Sequence, residues 1–144
     1  ADRLRRTVPV EAALGAVVIA VTTMLVAQPP ARTTYGPPVD LSAPLGEDRD
    51  AQIHVSTTRR GPITLDLTVH GPSKTPPHAT GVTATLSSAD AGIASLPVRW
   101  ATGPAGHWRS TYAAVPLPGT WTLHITVEFS PTDAVATTAA FRVW

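Results

Sequence analysis

Two hydrophobic patterns divide this chain. Over residues 8–27, VPVEAALGAVVIAVTTMLVA, apolar residues follow one another almost without a break, and the single charge, Glu11, sits near the start. Further along, the apolar positions recur every second residue. Ile63, Leu65, Leu67 and Val69 alternate with Thr64, Asp66, Thr68 and His70. Trp121, Leu123, Ile125, Val127 and Phe129 alternate with Thr120, Thr122, His124, Thr126 and Glu128. A long unbroken apolar run predicts a buried or lipid-facing helix, whereas a period of two predicts half-buried strands. Weaker alternation predicts further strands over 53–57, 82–86, 96–100, 108–114 and 135–143. Glycine, proline and aspartate clusters separate these runs as turns, for example Arg60-Gly61-Pro62 and Asp90-Ala91-Gly92.

As a helix, about 20 residues rising about 1.5 Å each cover roughly 30 Å, the hydrocarbon thickness of a bilayer. Such a helix satisfies its own backbone, as lipid requires. Arg3, Arg5 and Arg6 precede it, and that basic flank predicts a cytoplasmic N-terminus with residues 28–144 on the outer side of the cytoplasmic membrane. A secretory signal peptide is the competing reading. Its apolar region is shorter, and its cleavage site is A-x-A-like; the best candidate here, Leu25-Val26-Ala27, carries a large first residue. Thr7 is the expected cap, Pro9 fits the first turn, and Pro29-Pro30 ends the helix. Ala12, Ala16 and Ala20 form a small-residue face suited to neighbouring transmembrane helices, although alanine also simply favours helix.

Residues 29–44 hold repeated prolines and read as an extended spacer or a mostly unpaired first strand. Residues 1–28 are thus the predicted anchor, 29–44 the linker and 45–144 an outer domain. About seven short strands with glycine and proline turns predict a mainly β fold, an antiparallel sandwich of immunoglobulin-like type. Trp100, Trp108 and Trp121 fall on inward phases and are expected in its core.

Charge and composition narrow the chemistry. The chain has 11 lysines and arginines against 10 acids, and taking away those of the anchor leaves eight of each sign. That balance gives no electrostatic case for nucleic acid. With no cysteine, disulfides and thiolate metal sites are excluded. No nucleophile elbow, phosphate loop or H-E-x-x-H occurs, so the domain reads as non-catalytic. The acids of residues 46–50, GEDRD, lack the spacing of a calcium loop and read as a solvated turn. Imidazole is a good ligand for copper, which makes His70, His124 and His107 the metal candidates; they meet only if facing strands bring them together. Two loops, 104–108 and 74–79, are candidates for partner contacts.

Residues 3–32, RLRRTVPVEAALGAVVIAVTTMLVAQPPAR, resemble the last transmembrane helix of the actinobacterial copper resistance protein D (CopD) family. Gly61-Pro62-Ile63-Thr64-Leu65, Gly106-His107-Trp108 and Leu117-Pro118-Gly119-Thr120-Trp121 resemble the YtkA-like extracytoplasmic domain fused after that helix. This resemblance implies the C-terminal piece of a polytopic copper transport or resistance protein, an expectation consistent with a chain opening on Ala1. It also implies that the copper ligands of the whole protein lie elsewhere, with the bilayer and sister helices as partners. Copper or an envelope protein would be a partner of the outer domain. The alternative is a membrane-tethered immunoglobulin-like interaction module with no role for metal, or a carbohydrate-binding one if Trp100 or Trp108 faces solvent.

Overall fold

The computed structural model describes residues 2–27, 35–72, 78–104 and 106–144, with side chains from Glu11 onward. It divides the chain into two units, Ala1–Thr34 and Tyr35–Trp144. The first is a single helix, α1, Asp2–Val26. It begins at Asp2, so Thr7 does not cap it and Pro9 lies inside it rather than in its first turn; Arg3, Leu4, Arg5 and Arg6 are good helix formers and extend it toward the N-terminus. The expected stop at Pro29-Pro30 lies outside the described residues.

Within its own unit α1 buries almost nothing. Leu14, Ile19, Met24 and Val26 are 68 to 79% exposed, and Val17, Val18, Val21 and Leu25 are exposed too. The hydroxyls of Thr22 and Thr23 donate back to the carbonyls of Val18 and Ile19, so even the polar side chains are satisfied within the helix. Among the described residues no helix is long and apolar enough to cross a membrane.

The second unit is all β. Its strands are β1 Val39–Pro44, β2 Asp50–Val55, β3 Gly61–Pro62, β4 Leu65–His70, β5 Gly81–Ser88, β6 Ile93–Thr102, β7 His107–Tyr112, β8 Ala114–Val115, β9 Gly119–Ser130 and β10 Asp133–Val143. Residues 39–44 of the proline-rich stretch are therefore a strand, paired with β2 over all six residues. Pro44 is tolerated there because it ends the outermost strand, where one side needs no partner.

Eight strands form one antiparallel sheet in the order β1-β2-β4-β7-β6-β5-β9-β10, and β3 pairs separately with β8. This corrects the expected seven-stranded sandwich of two separate sheets. The sheet is continuous and rolls until its outer strands β1 and β10 lie beside each other, giving a nearly closed barrel-like form. The reason is β6. It pairs with β5 through Leu96, Pro97 and Val98 and with β7 from Arg99 onward, and its register with β7 shifts between Arg99 and Trp100. A bulge of this kind bends the strand and carries it from one half of the sheet to the other.

The alternating pattern does what it predicts. Ile53 and Val55, Leu65 and Leu67, and Leu86 point inward from β2, β4 and β5, with the inward row of β9 facing them. Trp121 is fully buried and donates its indole N–H to the Leu117 carbonyl at 2.9 Å. Trp108 is buried and Trp100 packs against the core, which removes the exposed tryptophan that carbohydrate binding needed at Trp108. Gly119 has φ +130, a conformation closed to most side chains, and a Cβ there would meet Asp90 at 3.3 Å. The tight approach lets the Asp90 carboxylate accept from the Thr120 N–H at 2.9 Å, which ties the β5–β6 turn to the start of β9.

The seam between β1 and β10 is closed by side chains. At one end Arg49 donates to Asp133 at 3.2 Å and lies 4.0 Å over the Phe129 ring. At the other, Tyr35 meets Trp144 edge to face at 5.8 Å, and the backbone N–H of Trp144 donates to the backbone carbonyl of Thr58 at 2.9 Å. Truncating Trp121 to alanine leaves a large void between the two halves of the sheet. It is expected to cost about 3–5 kcal/mol, read as a lowered midpoint of urea unfolding followed by circular dichroism.

Candidate functional site

Strands β1, β2 and β4 turn their even-numbered residues outward and β7 its odd-numbered His107 and Arg109, and the register sets those residues in rows. Asp40 opposes His54, His54 opposes Asp66, and Asp66 opposes Arg109. The next row runs Ser42, Gln52, Thr68 and His107. The first row thus alternates acid and base across four strands. Asp40, Gln52, His54, Asp66, Thr68 and His107, with Leu41 and Ile53 beneath them, line a shallow groove of about 450 Å³ on this face.

Contacts across the rows fix the side chains. His54 Nδ1 lies 2.6 Å from Asp40 Oδ1. Arg109 grips Asp66 with two hydrogen bonds, Nε to Oδ1 at 2.6 Å and Nη2 to Oδ2 at 3.2 Å, the forked geometry in which guanidinium and carboxylate fit best. His107 Nδ1 lies 2.8 Å from Thr68 Oγ1. The Arg109 hydrogen bond, aided by its charge and by His107 and His54, holds the Asp66 carboxyl below the usual carboxylate range although its partial burial works the other way. Each histidine spends Nδ1 within the sheet.

The three metal candidates are not brought together. His107 opens β7 in the groove. His70 ends β4 opposite Asp50, one row further along. His124 is on β9, on the outer face of the other half of the sheet, and lies 2.9 Å from the Ser87 hydroxyl. Among the described residues no three histidines, aspartates or glutamates converge to hold a metal ion. The loop at 104–108 holds its turn with a hydrogen bond from the His107 N–H to the Pro104 carbonyl at 2.9 Å, and Ala105 within it lies outside the described residues. Most of the 74–79 loop lies outside them too.

The sequence places His54 and Asp66 on outward phases but does not join them to Asp40 and Arg109. The signal that joins them is strand register, which a single chain's alternation leaves open. Trp100 Nε1 is the one buried side-chain polar atom without a partner among the described residues.

Because the Asp66 carboxyl is more acidic folded than unfolded, it adds stability above the ordinary carboxylate pKa, and that stability is lost as pH falls through the lowered folded value. Arg109→Gln is expected to return the Asp66 titration toward its usual range and to flatten the acid limb of stability. Carboxyl NMR titration and urea midpoints between about pH 2 and 6 read both effects. An Asp66 titration unchanged in the variant would show that Arg109 is not its cause.

Set against known proteins, the chain matches no family model, no curated protein and no solved structure.

Proposed function

We propose that this chain is the membrane-attached, extracytoplasmic β-domain of a copper transport or resistance protein, acting by binding and cover rather than by catalysis. The observation that carries the membrane reading is α1, whose apolar side chains are exposed on every side within its own unit. A helix that is apolar all round is stable only in lipid or among other apolar helices. The apolar run of the sequence covers residues 8–27, behind Arg3, Arg5 and Arg6. The copper setting is supported by the resemblance of the helix and of the 106–108 and 117–121 segments to the CopD and YtkA-like families.

A second reading, a tethered interaction module without a metal role, is favoured by the alternating charge row on the β1-β2-β4-β7 face. Complementary charge of that kind selects protein partners more readily than it supports a reaction.

Two measurements test the proposal. The chain is free of cysteine, so single thiols report topology directly. In intact cells, a membrane-impermeant maleimide should label Glu47→Cys, and Asp2→Cys only after lysis. The reverse pattern would overturn the orientation. Calorimetric titration of the full chain with Cu(II) should show weak binding or none. Tight stoichiometric binding abolished by His107→Ala or His124→Ala would move metal handling into this domain.

A further inference from the structure

The large hydrophobic side chains that the β-unit leaves exposed gather at one end of it. Among the described residues of that unit they are Tyr35, Tyr112, Leu117 and Trp144, 46 to 59% exposed. Backbone pairings bring them to one rim. Tyr35 meets the Trp144 ring, and Gly36 beside it passes so close to Arg59 that a Cβ would lie 2.7 Å from the Arg59 backbone nitrogen. The Thr58 carbonyl accepts the Trp144 N–H. Gly61 and Pro62 pair with Val115 and Ala114, which lie between Tyr112 and Leu117, and Gly119 pairs with Val143. Loops 35–38, 56–64, 89–92 and 113–118 therefore share one rim of the rolled sheet, and the turns at Gly46, Gly106 and Thr132 lie on the other.

The two rims also differ in charge. The first carries exposed Arg59, Arg60 and Arg142 against Asp90, whose carboxylate is already engaged by the Thr120 N–H. One row further in, Asp66 is held by Arg109 and Asp40 by His54. None of the three rim arginines joins an ion pair among the described residues. Arg142 instead lies 4.8 Å over the Trp144 ring. The far rim carries Glu47, Asp48, Asp50, Glu128 and Asp133 against Arg49.

Tryptophan and tyrosine beside arginine is the composition that membrane–water interfaces collect. The rings are apolar with a polar edge, and the guanidinium is drawn to anionic headgroups. The route of the chain points the same way. Tyr35 is the first residue of the β-unit, and only residues 27–34 separate it from α1, a reach of at most about 30 Å. A bilayer that holds α1 is therefore within reach of the basic, aromatic rim. The acidic rim stands off at the other end of β9, whose 12 residues measure about 40 Å.

We propose that the Tyr35–Trp144 rim rests on the outer surface of the bilayer. Tyr35, Tyr112, Leu117 and Trp144 enter the headgroup region, and Arg59, Arg60 and Arg142 bind the phosphates of anionic lipid. The proposal rests on the membrane reading of α1. The contact is made by side chains of loops and strand ends, and it leaves strand pairing as it is.

The full chain in bilayer nanodiscs tests it, with bimane on single thiols and nitroxide lipids as quenchers. In phosphatidylcholine with phosphatidylglycerol, a headgroup nitroxide should quench a label at Pro116→Cys, beside Leu117, and spare one at Glu47→Cys on the far rim. Arg59→Glu combined with Arg60→Glu should lower the ratio of docked to free chain roughly tenfold or more. In phosphatidylcholine alone the same exchange should change it little. A label at Gly15→Cys, quenched by an acyl-chain nitroxide, reads the helix separately. Quenching at Gly15 without quenching at Pro116 would overturn the docking, leave the membrane reading intact and assign the rim to a protein partner. No quenching at Gly15 would overturn both. Equal quenching at Pro116 and Glu47, or a Pro116 signal indifferent to the arginine exchange, would also overturn the proposal. Unchanged far-ultraviolet circular dichroism in the variants separates lost docking from lost folding.

Discussion

Strand β6 has to serve two half-sheets at once, and the rest of the β-domain depends on how it does so. Its first half hydrogen-bonds to β5 and its second half to β7, with the register shift between Arg99 and Trp100 making the corner. Because of that corner the inward rows of β2 and β4 face those of β5 and β9, and Trp121 fills the space between them. A flat continuation of β6 would leave both rows facing water, and this cysteine-free domain has no disulfide to offset the loss. The corner also dictates the seam. Once the sheet rolls, β1 and β10 meet, and Arg49 and Tyr35 close the two ends where ladder pairing stops.

The same topology separates two surfaces of unlike character. One half-sheet presents an ordered row of Asp40, His54, Asp66 and Arg109, each placed by register rather than by a loop. The other presents threonine and alanine with a charge at either end. The helix, bare of partners in its own unit, adds a third, apolar surface, which the proposed reading assigns to lipid or to other helices. On this account the chain is an outer structural and binding element of a membrane protein.

How much of this was legible beforehand depends on which physical term writes the signal. Burial writes period two directly into the sequence, so Leu65–His70 and Gly119–Ser130 are found where the alternation puts them. The core tryptophans Trp108 and Trp121, and Trp100 packed against that core, follow from the same phase. Register and curvature are not written that way. Hydrogen bonding between strands is satisfied by many registers, so the meeting of Asp40, His54 and Asp66 is invisible in one chain. The roll of the sheet escapes the sequence because a bulge decides it, and the prolines of β1 leave a spacer and a mostly unpaired strand both open, although its backbone is fully paired on one side. His70, His107 and His124 share an outward phase, yet the fold sends His124 to the opposite half of the sheet from the other two.

The central claim is that the chain joins two pieces with different solvent needs, an apolar helix that requires lipid and a β-domain that stands on its own core. Amide hydrogen exchange of the full chain, in bilayer nanodiscs and again after transfer to lipid-free buffer, tests it most directly. The account predicts that amides of residues 11–26 are protected only in the bilayer. Those of β2, β4, β5 and β9 should be protected equally in both conditions. Protection of the helix in lipid-free buffer, or loss of protection in the β-domain when lipid is removed, would contradict it.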